Sequence, residues 1–167
     1  MKKLFKVAVI LVATLGLLVG CGGSKVIKPE NGSASGKVGD TFGAYWFDFT
    51  VDSVTVIDDY NGYVAEEGNK LIAVTITLKS TITFEVPIFS SDFIVAWSNA
   101  DEDYAYALET EDTANWELGT LDAKEKETYT WHFEVPADGE TYSVEFLEFF
   151  DDDTTGDWFY ISFDLAN

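Results

Sequence analysis

Hydrophobic residues recur at every second position along most of this chain. Phe47, Phe49 and Val51 alternate with polar neighbours, followed by Val54 and Val56. From Leu71 to Lys79, Ile72, Val74, Ile76 and Leu78 face one way, and Ala73, Thr75, Thr77 and Lys79 the other. Tyr129, Trp131, Phe133 and Val135 alternate with Thr128, Thr130, His132 and Glu134. Tyr142, Val144 and Phe146 repeat the pattern, as do Phe159, Ile161, Phe163 and Leu165. A period of two puts one face of a strand on a core and the other in water. Turn formers separate the runs: Asn61-Gly62, Glu67-Gly68-Asn69, Pro136-Ala137-Asp138-Gly139 and Thr155-Gly156. The nearest approach to a helical turn lies around Glu109–Trp116. The pattern predicts an all-β domain over residues 37–167, an immunoglobulin-like antiparallel β-sandwich of about 7–9 strands, with a closed barrel as the alternative.

The first 20 residues stand outside this pattern. Lys2, Lys3 and Lys6 precede an apolar run from Val7 to Val19. At 1.5 Å per residue that run covers roughly 20 Å, short of the roughly 30 Å hydrocarbon core of a bilayer. It reads as the apolar centre of a signal peptide over residues 1–20. It ends Leu18-Val19-Gly20-Cys21, which resembles a bacterial lipobox, where the peptide is cut before a cysteine that becomes acylated. Cys21 is the chain's single cysteine. The expectation is a protein lipid-anchored through Cys21 on the extracytoplasmic face of the cell membrane. After the acylated Cys21, residues 22–36 are rich in Gly, Ser and Lys, so 21–36 reads as a flexible linker that holds the domain off the bilayer.

The 167 residues carry 30 Asp+Glu against 10 Lys+Arg, a formal charge of −20. Losing residues 1–20 removes three lysines and no acid, leaving about −23. So acidic a surface excludes nucleic acid as a partner, since phosphate backbones are bound by Lys/Arg patches. One Cys and one His exclude a disulfide scaffold and a His/Cys zinc site.

Across the domain, Lys37-Val38-Gly39-Asp40-Thr41 leads into Phe47-Asp48-Phe49-Thr50-Val51-Asp52-Ser53-Val54. Then come Gly68-Asn69-Lys70-Leu71-Ile72-Ala73-Val74-Thr75-Ile76-Thr77-Leu78-Lys79 and Trp131-His132-Phe133-Glu134-Val135-Pro136. This order resembles the immunoglobulin-like lipoprotein domains of unknown function of Gram-positive bacteria, a group related in fold to a secreted mycobacterial immunogenic antigen. Ser80-Thr81 stands where those domains usually have Asn, and Asp122-Ala123-Lys124-Glu125-Lys126 replaces their usual Pro-Gly or Gly turn. The resemblance implies a fold and an extracellular setting, and no catalytic residues.

Little in the sequence suits catalysis. With Cys21 spent on lipid, His132 is the only base available to a nucleophilic triad, and it falls on the polar face of its strand. An enzyme would have to work with carboxylates alone, as a hydrolase using a pair of them does. A cation site is the stronger candidate. Asp151, Asp153, Thr155 and Asp157 are spaced by two around Gly156, a spacing that turns alternate oxygens toward one Ca²⁺. Ser162 occupies the position of the bidentate Glu of an EF-hand, and the plainer reading is a solvated hairpin loop. Asp58-Asp59 and Asp101-Glu102-Asp103 are further acidic loops. Finally, Tyr45-Trp46, Tyr60, Tyr63, Trp97, Tyr104, Tyr106, Trp116 and Trp158 fall at strand ends or on mixed faces. They either pack in the core or form a platform for a sugar or peptide. The expected role is therefore a non-catalytic module that binds an unknown protein or envelope polymer.

Overall fold

The computed structural model describes residues 25–98, 103–108, 117–150 and 154–165. Cys21, Asp151, Asp153, Trp116 and the Glu109–Trp116 segment lie outside the described residues. Eleven strands are found among the described residues. They are β1 (Ser33–Lys37), β2 (Thr41–Gly43), β3 (Phe47–Ile57), β4 (Asn69–Ser80), β5 (Val86–Phe89), β6 (Phe93–Ser98), β7 (Asp103–Tyr106), β8 (Glu117–Leu121), β9 (Lys126–Pro136), β10 (Thr141–Phe149) and β11 (Thr155–Phe163). Five form one sheet in the order β1-β11-β10-β6-β7, four a second in the order β2-β3-β4-β9, and β5-β8 a small third. All pairs are antiparallel except β1 with β11. The count exceeds the expected 7–9 because β1, β2, β5, β7 and β8 are three to five residues long, too short to show alternation.

The alternating runs do what their period requires. Ile72, Val74, Ile76 and Leu78 of β4 and Trp131, Phe133 and Val135 of β9 point into the sandwich. Val95, Val144, Phe146, Phe159 and Ile161 meet them from the other sheet. Phe49 is the hub of an aromatic core, with the rings of Phe42, Phe47, Phe93, Phe146 and Phe159 at centroid distances of 5.4–6.2 Å. In β3 the inward phase passes from Phe47, Phe49 and Val51 to Val54 because a bulge inserts one residue between Val51 and Ser53.

Two features give the sandwich its immunoglobulin-like character. β4 pairs with β9 in one sheet while β6, β10 and β11 sit side by side in the other, a Greek-key arrangement. At the β9–β10 corner the Tyr142 hydroxyl donates to the Pro136 carbonyl at 2.7 Å, the tyrosine corner of such domains.

The domain boundary expected at Lys37 needs correcting, and with it the extent of the linker over 21–36. Ser33–Lys37 is strand β1, in register with Trp158–Ser162 of β11. Before it, the Ile27 N–H donates to the Thr41 carbonyl at 2.8 Å, and the Gly43 N–H donates to the Ile27 carbonyl at 2.9 Å. Lys28 lies 3.6 Å from Asp48. The composition looks like a linker because β1 packs through small residues. Ala34 is buried, and a Cβ on Gly36 would come within 2.7 Å of the Phe42 ring.

Candidate functional site

A sheet with one face on the core normally shows polar residues on the other. The four-stranded sheet obeys: Thr41, Thr50, Thr77 and Thr128 stand in one cross-strand row on its outer face. The Thr41–Thr50 and Thr77–Thr128 hydroxyls are each 2.9 Å apart. The five-stranded sheet does not obey. Register places Tyr160, Glu145, Ile94 and Tyr106 in one row across β11, β10, β6 and β7 on its outer face. Ser162, Ser143, Ala96 and Tyr104 form the next row, and Trp158 lies opposite Leu147.

Aromatic side chains wall this face on two sides. Trp158 and Tyr160 stack at 5.4 Å on β11, and Tyr104 and Tyr106 meet edge to face at 5.5 Å on β7. Three strand spacings separate these walls, about 14 Å. A cavity of about 510 Å³ lies between, floored by Ile94, Ala96 and Leu147. A second, of about 390 Å³, shares Asp92, Leu147 and Phe149 with it and is walled by Trp46, Phe84 and Phe89. Volumes of this order suit small ligands.

Two carboxyl groups line the larger cavity. Glu145, only 8 % exposed, accepts hydrogen bonds from Ser143 Oγ at 2.7 Å and from Trp158 Nε1 at 3.1 Å. The carboxylate is thereby fixed in orientation by its own strand and by the stacked indole. Asp92, in the turn between β5 and β6, accepts the Phe89 N–H at 2.7 Å. Burial pushes its carboxyl up to about 6, against the smaller opposing effect of that bond. Tyr106 is raised by its hydrogen bond to Tyr104 and by the charge there.

A third carboxylate ties the end of the sandwich together. Glu148 is 2 % exposed and accepts the Tyr45 N–H at 2.5 Å and the Asp157 N–H at 3.0 Å. A Cβ on Gly156 would fall 2.5 Å from Glu148 Oε2, so this glycine is needed for packing.

Among the described residues, the expected site residues fall at both ends of the sandwich and on both large sheets. Of the Ca²⁺ set, Thr155 is exposed, Asp157 is half-buried with its backbone on Glu148, and Asp151 and Asp153 lie outside the described residues. Asp103 and Asp58-Asp59 lie at the end of the sandwich where β10 begins, and Thr155 and Asp157 at the end where it finishes. No group of three or more His, Cys, Asp or Glu arranged for a metal occurs among the described residues. His132 is half-buried on the outer face of the four-stranded sheet, its ring stacked on Tyr60 at 3.7 Å, and burial lowers its pKa. Tyr63 donates to Glu134, which also accepts the Glu66 N–H and Asn69 Nδ2, both at 2.8 Å. Trp97 packs on the core, and Tyr45 and Trp46 meet each other and Phe150. Of the nine aromatics singled out by pattern, Tyr104, Tyr106 and Trp158 converge on the larger cavity. Asp92, Glu145, Leu147 and Phe149 were not singled out. The one sequence signal for Glu145, Leu147 and Phe149 is that the end of β10, Glu145-Phe146-Leu147-Glu148-Phe149, carries apolar residues on both faces, and Asp92 has no such signal.

No family model and no curated protein matches the chain by sequence. Solved structures match by fold. MPT63, a secreted protein from Mycobacterium tuberculosis, is 16% identical with a TM-score of 0.57, covering 80% of this chain and 99% of that one. An uncharacterized β-sandwich protein from Clostridium difficile is 18% identical with a TM-score of 0.52, covering 84% and 100%. The ycdA protein of Bacillus subtilis, named as a lipoprotein, is 13% identical with a TM-score of 0.53 over 73% of this chain. This chain spans 38% of that protein's length. The likeness is one of fold: an all-β sandwich shared with lipoprotein and secreted domains.

Proposed function

We propose that the chain is a lipid-anchored, extracytoplasmic binding module that works without catalysis, through the outer face of its five-stranded sheet. One observation carries this reading. A face that should be polar instead presents two aromatic walls around an oriented, buried carboxylate, Glu145. The leader ending at Cys21 supports the location, as do fold neighbours named as a lipoprotein and a secreted protein.

The test uses the full chain recovered from membranes. Mass spectrometry is expected to find Cys21 acylated and residues 1–20 removed; an unmodified Cys21 on a full-length chain refutes the anchor. The protein is expected to bind isolated cell-envelope material, and Trp158→Ala combined with Phe149→Ser to lose most of that binding while its circular dichroism shows the β-sandwich still folded. Undiminished binding by this variant moves the site elsewhere. Asp92 and Glu145 line one cavity, and a carboxylate-based hydrolase would have to use that pair. Release of soluble fragments by the wild type, abolished in Glu145→Gln and Asp92→Asn, would overturn the non-catalytic reading.

A further inference from the structure

We infer that the larger cavity receives an alkylammonium group, the lysine side chain of a partner polypeptide. The inference rests on the binding face proposed above and names what that face takes.

The cavity's charged groups are both acceptors, Asp92 and Glu145, and no lysine lines it. A charged ligand must therefore be a cation. Among the described residues Glu145 has a hydroxyl and an indole as donors and no cation, although a buried carboxylate is costly without a compensating charge. A neutral sugar would supply donors and leave that charge uncompensated. A cation supplies both, and the aromatic rings of Tyr104, Tyr106 and Trp158 that line the hollow offer quadrupole attraction to a cation placed over a ring face.

The shape of the acceptor favours lysine over arginine. Each oxygen of Glu145 already accepts one bond, from Ser143 and from Trp158. A guanidinium fork needs the remaining lone pair of both oxygens together in one plane, whereas an ammonium is a compact point donor that needs the remaining lone pair of only one. A second copy of this chain is a poor occupant, because two surfaces of a molecule carrying −20 repel each other. The neighbouring hollow makes the occupant a polypeptide. It shares Asp92, Leu147 and Phe149 with the first and is walled by Trp46 and Phe84, so it suits an apolar side chain close to the lysine. In an extended peptide, side chains two residues apart leave the same face about 7 Å from each other.

The experiment follows the indole N–H resonance of Trp158 in the ¹⁵N-labelled full-length protein in detergent micelles. Three probes are titrated: acetyl-Lys-Ser-Leu-amide, the same peptide with norleucine for lysine, and cellotriose. The lysine peptide is expected to shift the resonance with a Kd below about 1 mM at low salt. Binding should weaken about tenfold with norleucine, with Glu145→Gln, or in about 0.5 M NaCl. Tyr104→Leu, at a ring that is half exposed, should weaken it about threefold without lowering the melting temperature. Equal affinity for the norleucine peptide, or saturation by cellotriose alone, overturns the cation and leaves the binding face standing. Equal affinity for butylamine and the lysine peptide overturns the polypeptide. If no probe moves Trp158 while the Trp158→Ala, Phe149→Ser variant still loses envelope binding, the inference falls and the face stands. If that variant binds envelope material normally, both fall.

Discussion

Asp92 is held at a cost to stability, and the cost has a sign that can be measured. Its pKa rises from 3.8 in the unfolded chain to about 6 in the fold, chiefly because burial disfavours the charged form. Below 3.8 both states are protonated and the site is neutral in the balance. Between 3.8 and about 6 the native state binds more protons than the unfolded one, so stability falls as pH rises; above about 6 the whole penalty is present. Its full size is about 3 kcal/mol, an upper figure for a side chain that is not wholly enclosed. Asp92→Asn keeps an oxygen for the Phe89 N–H and removes the charge. The variant should exceed the wild type by about 2 kcal/mol in urea unfolding at pH 7.5, and by nothing at pH 3.5. A variant equal to the wild type at both pH values would mean that water reaches the carboxyl freely.

At the scale of elements, legibility followed length. β3, β4, β9, β10 and β11 are long enough for alternation to reveal them, and even the bulge at Asp52 shows as the step from Val51 to Val54. Asn61-Gly62 reads as a tight turn, and both residues take positive φ (52° and 84°) between paired Tyr60 and Tyr63. Asn31-Gly32 makes the same turn (55° and 88°) between Glu30 and Ser33, yet its flanks carry no apolar run to mark it. The site was half legible for a related reason. Tyr104, Tyr106 and Trp158 stand out as aromatics off the inward phase. Glu145 and Asp92 do not, because their significance depends on β10 lying between β6 and β11, which no local pattern encodes. The β9–β10 corner is the element where one hydrogen bond matters most. Tyr142→Phe should cost about 1–3 kcal/mol, since it removes the bond and strands the Pro136 carbonyl. An unchanged urea midpoint would show that water replaces the hydroxyl without loss.

The whole molecule is held by its apolar centre and not by its charges: the one ion pair among the described residues is Lys28–Asp48, against 30 acids in the chain. That pair belongs to the segment expected to be a stalk, and its inclusion in the fold shortens the tether that the proposed anchor would leave. With Ile27 already bonded to Thr41 and Gly43, only residues 22–26 separate Cys21 from the sandwich. Five residues reach at most about 17 Å, where fifteen would have reached about 50 Å. With the anchor proposed at Cys21, the outer face of the five-stranded sheet would stand close to the bilayer surface, and its strand β11 depends on β1 for a second neighbour beside β10. A chain starting at Val38 loses β1 with the buried Ala34, the Ile27 bonds and the cover that Gly36 gives Phe42. It also bares the β11 edge beside Trp158, a template for pairing with other chains. Compared with a chain starting at Lys25, it should melt at least about 10 °C lower and associate on sedimentation. Equal melting temperatures and monomers in both would mean that residues 25–37 are an ornament on the sandwich, and would restore the long tether.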